Sequence, residues 1–266
     1  MIPVKKVIDS EFVIVGGGIA GLSAAIAAGE AGVKATLLEK ADTRRSGSGC
    51  GGNDHFFCYL PEVHGPDIRR ILRDVVLSMV GDRMDGDLAL FFLEKSGEMV
   101  RRWHEWGINM KPYGGFEFRG HAFPGRPRIW LKYDGHNQKA VLNGKARALG
   151  TEVMNHHSVL DVAVSGGRVA GVLALDTSRD EPSFTLVRSP NVLLATGMTT
   201  RLYNSTVTPG YLFNSTSCPA CVGSGIAHAL RAGARLVNME LNGGHVGPAY
   251  FTRSGKATWI GVYKFP

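Results

Sequence analysis

The chain has 266 residues, with 30 Lys and Arg against 23 Asp and Glu, for a formal charge of +7. Hydrophobic residues at 44% and charged residues at 20% exclude an intrinsically disordered chain. The 35 glycines follow no G-X-Y period, which excludes collagen and leaves the excess needing another cause.

The N-terminus, Met1-Ile-Pro-Val-Lys-Lys, runs directly into a strand and leaves no room for a secretory signal. Glu11-Phe-Val-Ile-Val15 is a β-branched run of strand length that stops at Gly16-Gly-Gly18-Ile-Ala-Gly21. A small-residue helical stretch from Leu22 follows, then a second strand, Lys34 to Leu38, closed by Glu39. This is strand, turn, helix and strand, with an acid 18 residues after the last glycine (39 − 21). Gly16 permits the tight turn, Gly18 lets the backbone approach a pyrophosphate, and Gly21 lets the helix pack closely on the strand. The helix N-terminus offers amides and partial positive charge to phosphates, and Glu39 can accept hydrogen bonds from ribose hydroxyls. The pattern predicts a dinucleotide site. The acid disfavours a 2′-phosphate and so NADP, while NAD and FAD both stay open on spacing alone.

Residues 41–53 remain a glycine- and serine-rich loop where a simple half-fold would turn into a helix, as a second phosphate- and ring-contacting segment would. Helices are predicted near Asp67–Val80 and Gly86–Trp106, the latter with Leu88, Phe92, Met99, Trp103 and Trp106 at helical spacing. Lys111 to Gly135 reads as loop-rich, and Asn137 to Leu149 as helix. Short strands are predicted at Glu152–Met154, Val159–Val164, Arg168–Leu175 and Phe184–Val187, with Gly166-Gly167 turning a hairpin. Asn191-Val-Leu-Leu-Ala-Thr-Gly197 is a further buried strand. The most apolar stretch, Ile19 to Val33, is interrupted by Glu30 and falls short of the ~20 residues a bilayer requires, so no transmembrane segment is expected.

Several of these motifs recur together in a known family. Val13-Ile-Val-Gly-Gly-Gly-Ile-Ala-Gly-Leu, Leu38-Glu-Lys, Gly51-Gly52, Leu193-Leu-Ala-Thr-Gly, and Gly223-Ser-Gly-Ile-Ala-His-Ala-Leu-Arg-Ala-Gly-Ala with Asn238-Met-Glu stand in family order. The sequence resembles the N-terminal half of the flavoprotein subunits of the fumarate reductase/succinate dehydrogenase family, and in places the adenylylsulfate reductase alpha-subunit branch. The resemblance implies an α/β fold: a Rossmann-like FAD-binding domain with a parallel sheet, a small antiparallel β-meander and helical insertions. It selects FAD as the cofactor. It places Gly16, Gly18 and Gly21 at the pyrophosphate, Glu39 at the adenosine ribose and Lys40 beside it. Ser46, Gly47, Ser48, Gly51 and Gly52 correspond to the loop around phosphates and flavin, Val159 to the adenine contact, and Ala195, Thr196 and Gly197 to the strand end closing on the cofactor.

The departures are informative. Covalent members carry a flavin-bonded histidine where this chain has Arg45, which implies dissociable, non-covalent FAD. The family's Thr-Gly-Asp-Gly reads Val222-Gly-Ser224-Gly225, leaving Ser224 in place of a flavin-fixing carboxylate. Only His245 survives of a substrate-binding motif; a surface or structural histidine is the reading slightly favoured, with binding of a small anionic substrate as the weaker one. The catalytic arginine of the family lies in later segments, so the catalytic residues are unknown and the chain is expected to be a fragment or split half. The expected layout is 1–245 as the first segment of the FAD domain and 246–266 as the start of a capping domain or a tail.

Cys218-Pro-Ala-Cys221 supplies two of four metal ligands; a packed loop is expected there, with a redox dithiol as the alternative, and no metal is expected. Cys50 and Cys58 read as reduced thiols in a cytoplasmic protein. Basic pairs such as Arg44-Arg45 and Arg101-Arg102 form no single stripe, which argues against nucleic acid. The aromatics from Trp103 to Tyr133 read as core or subunit interface. The resulting expectation is a two-electron, FAD-dependent oxidoreductase electrically coupled to an iron–sulfur subunit or completed by another flavoprotein half. The alternatives are an electron-transfer or assembly module without substrate chemistry, and a dinucleotide-sensing module.

Overall fold

A computed structural model describes residues 3–49, 52–77, 84–119, 125–199, 218 and 220–240. The chain divides into two compact units, Met1–Gly51 with Leu142–Pro266, and Gly52–Val141.

The first unit carries two sheets. Strands β2 (Phe12–Val15), β3 (Ala35–Glu39), β6 (Glu152–Asn155) and β10 (Val192–Leu194) form an all-parallel sheet in the order β10-β2-β3-β6. Helix α1 (Ile19–Glu30) makes the crossover from β2 to β3. The register pairs Phe12 with Ala35 and Val15 with Leu38, which brings Gly16, just after β2, level with Glu39, the last residue of β3. Every residue of β3 is buried, as befits a strand inside a parallel sheet.

Strands β7 (His157–Ser165), β8 (Arg168–Asp176) and β9 (Ser183–Arg188) make an antiparallel meander, and β1 (Val4–Asp9) joins parallel to β9. The Gly166-Gly167 turn takes φ +57° and +74°, the left-handed pair that a two-residue hairpin of native twist needs. Between the sheets lies a core of Val13, Val15, Leu38, Val159, Val162, Val172, Ala174 and Val187. Helix α6 (Ser224–Arg231) docks through His228, which is 4% exposed and whose Nε2 lies 3.2 Å from the Val159 carbonyl.

The second unit is built on α2 (Pro61–His64), α3 (Ile68–Ile71) continuing into a π-helical turn at Leu72–Leu77, and α4 (Gly86–Glu105). Tyr59, Ile71, Val75, Ala89, Leu93 and Ile129 are part of its core. Asp67 and Asp85 cap α3 and α4, each accepting a backbone N–H three residues on at 3.0 Å. The unit boundary falls within α5 (Gln138–Ala148).

Three expectations need correction. The loop-rich region contains β5 (Trp130–Lys132), paired antiparallel with β4 (His55–Phe57). Three-residue strands are too short for periodicity to mark them. Helix α4 buries Ala89, Leu93, Ser96, Gly97, Val100 and Trp103, whereas Leu88 and Phe92 are exposed, so its inward stripe lies one position later than the large side chains suggest. The aromatic group divides: Trp103 and Tyr133 are buried around Phe56 in edge-to-face contacts, but Tyr113 is half exposed under Arg119, and Phe123 lies outside the described residues.

Candidate functional site

Ligands in open α/β sheets bind beyond the carboxyl ends of the parallel strands. In the first unit those ends present Gly16 after β2, Glu39 closing β3 and Ala195 after β10. A separate open groove of about 830 Å³ lies at the opposite strand ends, lined by Asp9, Glu11, Lys34 and Arg188 among others, with charges of both signs. Its mixed lining selects no ligand, and the strand-end rule assigns the site to the glycine turn.

Gly16 has φ +103°, and a methyl group there would lie 2.6 Å from the Ala195 carbonyl oxygen. Ala195 is held by donating its N–H to the Val15 carbonyl at 2.8 Å. Gly21 packs still closer, since a methyl there would lie 1.9 Å from the Gly16 oxygen. Gly18 differs from both. It has φ −68°, compatible with any residue, and a methyl there would meet nothing within 4 Å. The space beside Gly18 is open.

Gly18 also caps α1, with no side-chain hydrogen bond and no acidic residue in the first turn. The amides of that turn have no intrahelical acceptor and carry the positive end of the helix dipole, so an anion is their natural partner.

Glu39 is 6% exposed. Its Oε2 accepts the Gly17 N–H at 2.7 Å and its Oε1 accepts the Ala41 N–H at 2.8 Å. The acid therefore fixes the middle of the glycine turn as well as ending β3. A carboxylate has about four lone-pair sites, so two remain for hydroxyl donors.

The loop after β3 folds back on this turn. Ser46 Oγ stands 3.5 Å from the Gly17 carbonyl, and a methyl on Gly47, at φ +77°, would lie 3.6 Å from Gly18 Cα. Ser48 Oγ accepts the Cys218 N–H at 3.2 Å. Behind it, Thr43 is fully buried and donates its hydroxyl to Asn143 at 2.7 Å, with its methyl where a Gly17 side chain would have to go. Gly223 at φ +89° turns the chain into α6, and a methyl on Gly225 would lie 1.9 Å from the Thr196 hydroxyl. Ser224 is exposed as the first residue of α6. The structure thus gathers Gly16, Gly18, Gly21, Glu39, Ser46, Gly47, Ser48, Ala195, Thr196, Gly197 and Ser224 around one set of strand ends.

Other expected positions are engaged differently. The Lys40 ammonium donates to the Ala220 carbonyl. The Val159 carbonyl faces the His228 ring. Gly52 belongs to the second unit, where φ +78° and a methyl position 2.5 Å from the Gly135 oxygen make it a packing glycine. Gly51 and His245 lie outside the described residues. The Cys218–Cys221 pair precedes α6, but burial pushes the Cys221 thiol up to about 11, contrary to the lowered value expected of a cysteine at a helix start. Among the described residues no cluster of three or more His, Cys, Asp or Glu could hold a metal, and no helix is long and apolar enough to cross a membrane.

Sequence reasoning missed the Glu39 clasp on Gly17 and Ala41, the Thr43–Asn143 bond and the His228 anchor. The first had a signal: an acid at the end of β3 stands next to β2 and its turn.

The geometry fits a dinucleotide: an open face at Gly18, unpartnered helix-start amides as a class, and a buried carboxylate with capacity to spare. Comparison with known proteins agrees. A family model described as "FAD binding domain" matches residues 11–258. L-Aspartate oxidase of Mycobacterium leprae is 28% identical over 249 residues, covering 87% of this chain and 42% of that protein. The succinate dehydrogenase flavoprotein subunit of Rickettsia bellii is 27% identical, covering 86% of this chain and 38% of that protein. The chain thus spans about two-fifths of the length of these relatives. The solved adenylylsulfate reductase of Archaeoglobus fulgidus shares the fold, with a TM-score of 0.70 at 23% identity over 87% of this chain and 37% of that one. The chain belongs to the FAD binding domain family, and FAD is its cofactor.

Proposed function

We propose that the chain is the FAD-holding part of a two-electron oxidoreductase of the fumarate reductase/succinate dehydrogenase/adenylylsulfate reductase kind, and that it binds FAD without a covalent bond. The observation that carries this reading is the contrast at the first turn: Gly16 and Gly21 are closed by packing while the face at Gly18 is open. The diphosphate would lie against that face and the first-turn amides of α1, with Glu39 accepting from the ribose. Gly47, Ser46 and Ser48 would close over the phosphates, and Thr196, Gly197 and Ser224 would flank the flavin side. The Val159 backbone would stand at the adenine. FAD supplies hydride transfer when bound; the residues of this chain hold and orient it.

Arg45, exposed and with its N–H donated to the Asp42 carbonyl at 2.9 Å, cannot form a histidyl–flavin bond. Gly51 and Gly52 complete the loop in this reading, Lys40 serves the adenosine end, and His245 is the candidate for binding a small anionic substrate. Residues 1–245 act as the first segment of the FAD domain and 246–266 as the start of a cap or tail. An iron–sulfur subunit or a second flavoprotein half is the partner in this reading, and the compartment is the cytoplasm.

Acid precipitation of purified, yellow protein tests the binding mode. FAD in the supernatant, with an unmodified protein mass in the pellet, is the expected result; flavin remaining on the polypeptide contradicts it.

A further inference from the structure

Cys218 and Cys221 are not themselves assigned to the dinucleotide, although Lys40, Ser48 and Gly197 of that site lie against them and Ala220. Cys221 donates its N–H to the Cys218 carbonyl at 3.0 Å. A backbone bond from residue i+3 back to residue i holds the two Cα atoms within about 7 Å, and a disulfide spans about 4.4–6.8 Å. Two further bonds fasten the described residues: Ser48 Oγ accepts the Cys218 N–H, and Lys40 donates to the Ala220 carbonyl. Both thiols are half-buried and stand reduced. A metal would need two further ligands, and among the described residues no third His, Cys, Asp or Glu joins them.

We propose that Cys218 and Cys221 form a thiol–disulfide exchange pair whose oxidant is a low-molecular-weight disulfide of the glutathione type. The Cys218 thiol loses its proton to solvent, and the thiolate attacks one sulfur of the small disulfide. A Cys218–S bond forms, the small S–S bond breaks, and one thiolate leaves to take a proton. Cys221, deprotonated in turn, attacks Cys218 Sγ, forming the intrachain bond and releasing the second small thiol. The protein dithiol loses two electrons and two protons, and one small disulfide becomes two thiols.

The order of attack follows from the surroundings. Cys221 Sγ lies 3.3 Å from the position of a methyl on Gly197, and burial pushes the thiol up to about 11. Crowding and burial both disfavour attack by Cys221, which makes it the slower first attacker and the resolving thiol. Cys58 is the contrast: fully buried in the second unit and pushed up to about 12, it takes no part.

The test uses the full chain in buffers of reduced and oxidised glutathione, quenched with acid, alkylated with N-ethylmaleimide and mapped by mass. The expected product is a 218–221 peptide lighter by two hydrogens that takes up no alkylating agent. Cys221→Ser should trap a glutathione adduct on Cys218, and Cys218→Ser should form its adduct more slowly. Full alkylation of both thiols in the most oxidising buffer, or a Cys218 bridge to Cys50, would overturn the proposal. The readout does not involve flavin, so the pair and the FAD site stand or fall separately.

Discussion

At Gly16–Gly21 and again at Gly223–Gly225 the chain turns into a helix through glycines, yet the glycines serve different ends. In the first turn two glycines face backbone, Gly16 against Ala195 and Gly21 against Gly16; Gly17 faces the Thr43 and Glu39 side chains, and Gly18 faces open space. In the second, Gly223 and Gly225 both face side chains, Thr199 and Thr196. Backbone cannot move aside without disturbing a sheet, whereas a threonine can rotate or be replaced. The first turn is therefore the more tightly constrained, with its face at Gly18 open, while the second is a packing joint. A shared glycine-rich appearance does not imply a shared role.

Substitutions sharpen this contrast. Gly21→Ala drives a methyl to 1.9 Å from a backbone oxygen, and should lower stability by about 3 kcal/mol or more in urea titration. Gly225→Ala meets the Thr196 side chain instead, so a loss of about 2 kcal/mol is expected, partly restored by adding Thr196→Ala. Equal losses at the two sites would erase the distinction. Glu39→Gln keeps one acceptor but turns an amide N–H₂ toward a backbone N–H, at an expected cost of about 1–2 kcal/mol in the flavin-free protein; no change would mean that the clasp on Gly17 contributes nothing.

The smallest effect belongs to the second unit. The hydrogen bond from His55 at 3.0 Å, joined by Lys132, holds the Asp54 carboxyl well below the usual carboxylate range against the opposing effect of burial. A depressed folded value stabilises the protein above the unfolded pKa of about 4, and this contribution is lost as pH falls through the folded value. Asp54→Asn should flatten the acid limb of stability against pH below about 4, while the glycine-turn variants should leave its shape unchanged.

The first turn was legible in the sequence because its strand, glycine spacing, helix and acid are all local, within Glu11 to Glu39. The antiparallel meander was legible for the same reason, with Gly166-Gly167 marking its hairpin. What escaped depends on partners far along the chain. Strand β1, with Lys5 and Lys6 and an exposed face, shows no alternation and exists through its pairing with β9. Strands β4 and β5 need each other across the helices between them. In α4 the small residues Ala89, Ser96 and Gly97 face inward because the core there is close-packed, as Gly97 against the Tyr59 carbonyl illustrates, so large side chains mislead. The second glycine turn was found through family resemblance alone, and the Val159 carbonyl's engagement by His228 follows from tertiary packing that no local spacing encodes.

The central claim concerns the open face at Gly18. Fluorescence titration of FAD with the wild-type chain and with Gly18→Ala, alongside a urea stability curve for each, tests it most directly. The methyl meets no protein atom within 4 Å and the backbone angle suits alanine, so stability should be unchanged or slightly raised. FAD affinity should fall by tenfold or more, which corresponds to about 1.4 kcal/mol. Undiminished FAD binding by the alanine variant would contradict the account.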